Sequence, residues 1–145
     1  MKVKYENKSL IHMGLLSATL LFSSLATALP TQITFTNNTS LSLGTSIAGL
    51  PGNGVEPNAT KSASYSLVSM GCFFGNVLNN CPIEFTDRHS GAKVATVYIN
   101  AETATLTRAP QFHGTYGDEY EVTGWQASPI SHIYIVKKAT NTEQA

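Results

Sequence analysis

The sequence predicts an all-β protein, a small antiparallel β-sandwich of about eight strands with an immunoglobulin-like or jelly-roll-like arrangement. Three observations support this fold class. After residue 28, short runs of alternating apolar and polar residues are separated by turn residues at intervals of roughly 8–12 positions. β-branched and aromatic residues dominate these runs. No run shows a sustained helical period with caps, so helix should be scarce. A closed β-barrel is the alternative architecture.

Turn-forming residues mark where the predicted strands end. The first strand ends at Asn37-Asn38-Thr39-Ser40, and the second ends at Leu50-Pro51-Gly52-Asn53-Gly54, where proline presets φ and glycine accepts positive φ. Alternation within the later strands places Phe85, Val97, Ile99 and Leu106 on the inward face. The eight predicted strands are Ile33–Thr36, Leu41–Ala48, Lys61–Met70, a strand through Ile83 and Phe85, Val94–Asn100, Thr103–Arg108, Tyr120–Trp125 and His132–Lys137.

The first 28 residues have the pattern of a secretory signal. Three lysines precede an apolar run from Leu10 to Ala26, and Ala26-Thr27-Ala28 provides the small residues that a signal peptidase reads. We expect cleavage after Ala28, a single domain over residues 29–137 and a flexible polar tail over 138–145. Retention of the apolar run as a membrane anchor is the alternative. The protein is therefore predicted to be exported, to the periplasm or the extracellular medium.

Charge, hydropathy and the absence of known motifs exclude several classes of partner and ligand. The chain has nine basic and nine acidic residues; three lysines and Glu6 lie in the signal, which leaves six against eight and a net charge of about −2. We expect no nucleic-acid ligand, because phosphate binding needs clustered cations. No second segment is long and apolar enough to span a membrane after signal removal. No motif indicates a cofactor or a metal.

Cys72 and Cys81 are the only cysteines, and in an exported chain such a pair forms a structural disulfide. The ring that they close contains Phe73 and Phe74. These phenylalanines either cap the core or form a rigid apolar tip for a protein partner or a lipid surface. Because adjacent residues of an extended segment point to opposite sides, one phenylalanine should cap the core while the other reaches solvent.

A second candidate site lies around residues 111–121, which combine aromatic side chains, a histidine and carboxylates near two glycines. His113, Tyr116, Asp118 and Tyr120 are the candidate binding residues, suited to a protein or a carbohydrate ligand. The sequence thus predicts an exported binding protein that acts through its loops. The alternatives are a small secreted hydrolase using the region of His113 and Asp118, and a lipid-contacting module using the Cys72–Cys81 loop.

Overall fold

Two β-sheets, packed face to face, form the protein. The structure, a computed structural model, describes residues 28–139, so the expected signal up to residue 27 and the tail beyond residue 139 lie outside the described residues. The elements in chain order are β1 (Gln32–Asn38), β2 (Leu43–Ile47), β3 (Leu50–Pro51), β4 (Ala59–Ser64), α1 (Tyr65–Phe74), β5 (Cys81–Asp87), β6 (Lys93–Asn100), β7 (Thr105–Leu106), β8 (Gln111–Phe112), α2 (Tyr116–Glu119), β9 (Tyr120–Thr123) and β10 (His132–Lys137).

The smaller sheet has four strands in the order β4-β1-β10-β9. Its two central strands, β1 and β10, are parallel, with Thr34 opposite His132 and Asn38 opposite Val136. The flanking pairs β1–β4 and β9–β10 are antiparallel. The sandwich is therefore antiparallel except at the centre of this sheet, where the first strand of the domain meets the last.

The larger sheet has the order β3-β2-β5-β6-β7, and β8 also pairs with β6. All of its pairs are antiparallel. The long strand β5 connects the two candidate regions: it begins at Cys81, in the first region, and ends at Asp87, which contacts Tyr116 of the second. The two sheets together confirm the small all-β sandwich. Residues 28–139 form ten strands instead of about eight, and three of them, β3, β7 and β8, are only two residues long.

The core lies between the two sheets. Phe35 on β1 and Phe85 on β5 meet across it edge to face, with ring centroids 5.6 Å apart. Phe85, Val97 and Ile99 are fully buried, as alternation predicts, and Leu106 is half-buried against the same cluster. The domain thus has one continuous apolar core, to which both sheets contribute.

The predicted strand over 61–70 is wrong in its second half. β4 ends at Ser64, and the chain continues directly into α1, a ten-residue helix. Alternation of Ala63, Tyr65 and Leu67 imitates a strand, but Tyr65, Val68 and Cys72 are the buried residues, at helical spacing. Within residues 28–139, neither this helix nor α2 reaches the length and apolar character that crossing a bilayer requires.

Candidate functional site

α1 is fastened to the sandwich at both ends of its buried side. The Tyr65 backbone N–H donates a hydrogen bond to the Thr31 carbonyl, and the Tyr65 hydroxyl donates one of 2.7 Å to the buried carbonyl of Ala101. Burial raises the pKa of the Tyr65 hydroxyl above its ordinary value, so it stays protonated as a donor. At the other end, Cys72 forms the predicted disulfide with Cys81, the first residue of β5.

The helix ends in a Schellman motif. Asn76 has positive φ, its N–H donates to the Phe73 carbonyl, and the Val77 N–H donates to the Cys72 carbonyl. Gly75 lies close to the β2–β3 turn, since a Cβ at this position would come within 3.0 Å of the Ala48 Cβ. These contacts hold the last turn of α1, where both phenylalanines lie, in one orientation.

The outward side of α1 is apolar. In residues 28–139, six large hydrophobic side chains are exposed, and between 46% and 72% of each is open to solvent. Four are on α1. Leu50 reaches the helix beside Gly71, with its Cδ1 3.8 Å from where a Cβ of Gly71 would be, and Leu29 lines a groove together with helix residues. We call the six residues the apolar face: Leu29, Leu50, Leu67, Met70, Phe73 and Phe74.

The four helical members of the apolar face form one stripe. At 3.6 residues per turn, Leu67, Met70, Phe73 and Phe74 lie within an arc of about 120°, interrupted only by Ser66. α1 contains no charged residue. A shallow groove of about 920 Å³ follows the Met70–Phe73 side of this stripe. The stripe can hold an apolar partner surface: its four side chains carry no acid, base or nucleophile, and the groove beside it is lined by one carboxylate, that of Glu102.

The structure corrects the expectation for the two phenylalanines. They lie in the last turn of α1, not in an extended loop, and neither caps the core: 63% of Phe73 and 72% of Phe74 is exposed. Their rings contact each other edge to face at 5.8 Å. Val77 and Leu78 are the residues of the disulfide ring that pack against the core. Both phenylalanines are thus on the surface, where a contact role requires them.

The second candidate region lies at the other end of β5, which spans seven residues or roughly 20 Å. There Asp87 accepts a hydrogen bond of 3.3 Å from the Tyr116 hydroxyl. The pKa of Asp87 lies below its ordinary value, mainly because the backbone N–H of His89 donates a hydrogen bond to its carboxylate. Tyr120 is buried, with its pKa raised by that burial, so it offers little surface to a ligand.

The residues of the hydrolase alternative are not joined by hydrogen bonds. The His113 Nε2 pairs with the Thr96 hydroxyl at 2.8 Å instead of with a carboxylate. Asp118 and Glu121 are exposed. In the part of the chain that the structure describes, no group of three or more His, Cys, Asp or Glu residues is arranged to hold a metal ion. This end therefore brings together two tyrosines and Asp87, without a histidine–carboxylate pair.

Comparison with known proteins identifies the family of this chain. The sequence model of one family, described as the type II secretion system substrate NttC, matches residues 8–123 of the 145-residue chain. The chain belongs to the NttC family. As a member of a family of secretion substrates it is an exported protein, which agrees with the location predicted from the sequence. A comparison with curated proteins finds no match.

The fold is that of a solved NttC protein. The crystal structure of the Legionella pneumophila type II secretion system substrate NttC aligns with a TM-score of 0.56 and 18% sequence identity. The alignment covers 75% of this chain and 99% of that chain. At this identity the likeness establishes the sandwich fold, and the contact residues of this family member have to be argued from its own surface.

Sequence reasoning selected Phe73 and Phe74 but missed Leu67 and Met70. The sequence pattern could have revealed them, because Leu67, Met70 and Phe74 follow one another at the helical spacings of three and four residues. It was hidden because the buried side of α1 is equally apolar, so the helix shows no polar stripe. Leu50 joins this surface only through the tertiary fold.

Proposed function

We propose that this protein is released through a type II secretion system and acts outside the cell as an interaction protein, with the apolar face as its contact surface. The observation that carries the proposal is the concentration of exposed large hydrophobic side chains on one immobilised helix. Contiguous apolar patches of several hundred Å² on soluble proteins mark sites of association. Protein or lipid contact fits such a surface better than catalysis does.

Rigidity supports the same role. The disulfide, the Tyr65 hydrogen bond and the Schellman motif hold α1 before any partner arrives. Aromatic anchors that are already ordered lose little conformational freedom on binding, so more of their burial contributes to affinity. The absence of charge from α1 means that no ion has to be desolvated when the stripe is covered.

Two features support the secretion route. The pattern of residues 1–28 predicts a signal that directs the chain across the inner membrane, and membership in the NttC family supports passage of the folded protein through the type II system. In the native host, a strain lacking the outer-membrane pore of that system should retain the mature protein in the periplasm. Equal amounts in the medium of both strains would contradict this route.

Site-specific photo-crosslinking tests the contact surface. A photoreactive amino acid replaces Phe74 in one variant and Thr115, an exposed residue at the opposite end of the domain, in the control. After irradiation in the medium into which the native host secretes the protein, the Phe74 position should yield discrete adducts and the Thr115 position should not. Equal adduct formation at both positions, or neither a protein adduct at Phe74 nor binding to lipid vesicles, would refute the proposed surface.

A further inference from the structure

We infer that the partner of the apolar face is a second copy of the same chain, so that the secreted protein is a two-fold symmetric homodimer with α1 packed against α1. The inference rests on the proposed function, because it names the occupant of the proposed contact surface. Three properties of the surface support a second copy: its area, its lack of charge along the helix, and the signs of the charges at its two sides.

The area fits a homodimer at the lower end of the stable range. With about 180 Å² for each leucine, methionine or phenylalanine, the exposed fractions of the apolar face add up to roughly 600 Å². Two copies face to face would therefore remove about 1,200 Å² of apolar surface from water, near the lower limit for specific protein interfaces. Because homodimer interfaces are more apolar than others, this composition suits self-association.

A two-fold interface places each residue opposite itself or opposite its exchange partner, so like charges at its centre repel. α1 has no charged residue, and this penalty is absent. The three leucines, one methionine and two phenylalanines of the apolar face can interdigitate there. The one polar side chain within the stripe is Ser66, and its hydroxyl already bonds that of Ser64 at 2.8 Å.

The charges at the sides of the stripe have opposite signs. Lys61 lies beside Leu67 along the wall of one cavity, and Glu102 lies beside Met70 and Phe73 along the wall of the groove. Both are exposed, and neither is in an ion pair with another described residue. A two-fold axis that crosses the apolar face midway between them exchanges their positions. Each Lys61 then meets Glu102 of the second copy, twice per dimer.

A membrane fits this surface less well. Helices that lie on bilayers combine their apolar side with lysines and arginines, which are attracted to anionic lipids. Here the flanking charges are one lysine and one glutamate, and the helix supplies none. Self-association uses both signs, whereas an anionic lipid surface would be repelled by Glu102.

Sedimentation velocity of the mature, oxidised protein over a concentration series is the first measurement. We expect a reversible monomer–dimer equilibrium with a dissociation constant of roughly 1–100 µM, as suits a small interface. Met70→Asp, at the centre of the stripe, should shift the protein to monomer across that range. The control, Thr115→Asp, adds the same charge at the far end of the domain and should leave the equilibrium unchanged.

A charge exchange tests the geometry. Lys61→Glu and Glu102→Lys should each weaken dimerisation, by about two- to tenfold for two exposed ion pairs. The double variant restores opposite signs and should recover the wild-type constant at low salt. Recovery identifies the Lys61–Glu102 contact between copies, because a structural effect of either substitution would persist in the double variant. Additive weakening in the double variant would overturn this arrangement.

Further outcomes separate the inference from the proposed function. A wild-type protein that stays monomeric well above 100 µM overturns the homodimer. If the Phe74 photo-crosslinker then captures a different secreted protein, or the monomer binds phosphatidylcholine vesicles through Met70, the contact surface stands while its occupant is different. If Phe74 yields no adduct and no vesicle binding occurs, the proposed function fails as well.

Discussion

Two phenylalanines in different environments provide a direct test of the packing. Phe85 is fully buried and meets Phe35 across the sandwich, whereas 72% of Phe74 is exposed on α1. Replacing each with alanine removes the same atoms. Because only Phe85 is enclosed, Phe85→Ala should lower the free energy of unfolding strongly and Phe74→Ala only slightly.

The magnitude follows from burial. Truncation of a closed core phenylalanine costs about 3–5 kcal/mol, and loss of the edge-to-face contact with Phe35 places Phe85 in the upper part of this range. Little more than a quarter of Phe74 is covered, so its truncation should cost about 1 kcal/mol or less. For a domain of this size, the corresponding losses in melting temperature are roughly 12–20 °C and less than about 4 °C.

Urea unfolding of the monomer at low protein concentration measures both values. Trp125, the single tryptophan, packs against the core and supplies the fluorescence signal. If Phe85→Ala prevents folding, Phe85→Leu should still fold with a smaller loss. A loss below 1 kcal/mol for Phe85→Ala, or equal losses for Phe85→Ala and Phe74→Ala, would refute the assignment of core and surface.

Three other expectations concern the disulfide, an acidic group and processing. Replacing Cys72 and Cys81 together with serine should lower stability by roughly 2–4 kcal/mol, measured by urea unfolding, and free thiols in natively secreted protein would contradict the link. The pKa of Asp87 is lowered in the folded state, mainly by a hydrogen bond from the His89 N–H, so its contribution to stability is present at neutral pH and is lost as the pH falls through the folded pKa. Asp87→Asn should therefore lower the free energy of unfolding at pH 7 and have little effect near pH 2. An equal effect at both pH values would disprove the linkage. Intact mass of the secreted protein should correspond to a chain that begins at Leu29, and retention of residues 1–28 would show that the signal is not removed.

The sequence predicted best those parts of the fold that local pattern determines. Val94–Asn100 reads as β-structure from its composition alone, and the turn residues before it separate it from β5. α1 was missed because apolar residues surround the whole helix, so neither period stands out. The exposure of both phenylalanines was not predicted, since it depends on how β1, β2 and β4 pack against the opposite side of α1. The candidate site was thus half predicted: the disulfide ring was located, and the helix that carries the surface was not.

The parallel pairing of β1 with β10 has a consequence for the timing of folding. Thr34 lies opposite His132, so the centre of the smaller sheet closes only when the last strand of the domain is present. Contacts this distant in sequence form slowly, because almost the entire chain must be ordered between them. A chain emerging from the ribosome therefore cannot complete this sheet before its carboxyl-terminal residues are synthesised. The sandwich can therefore close only after His132–Lys137 is available to pair with β1.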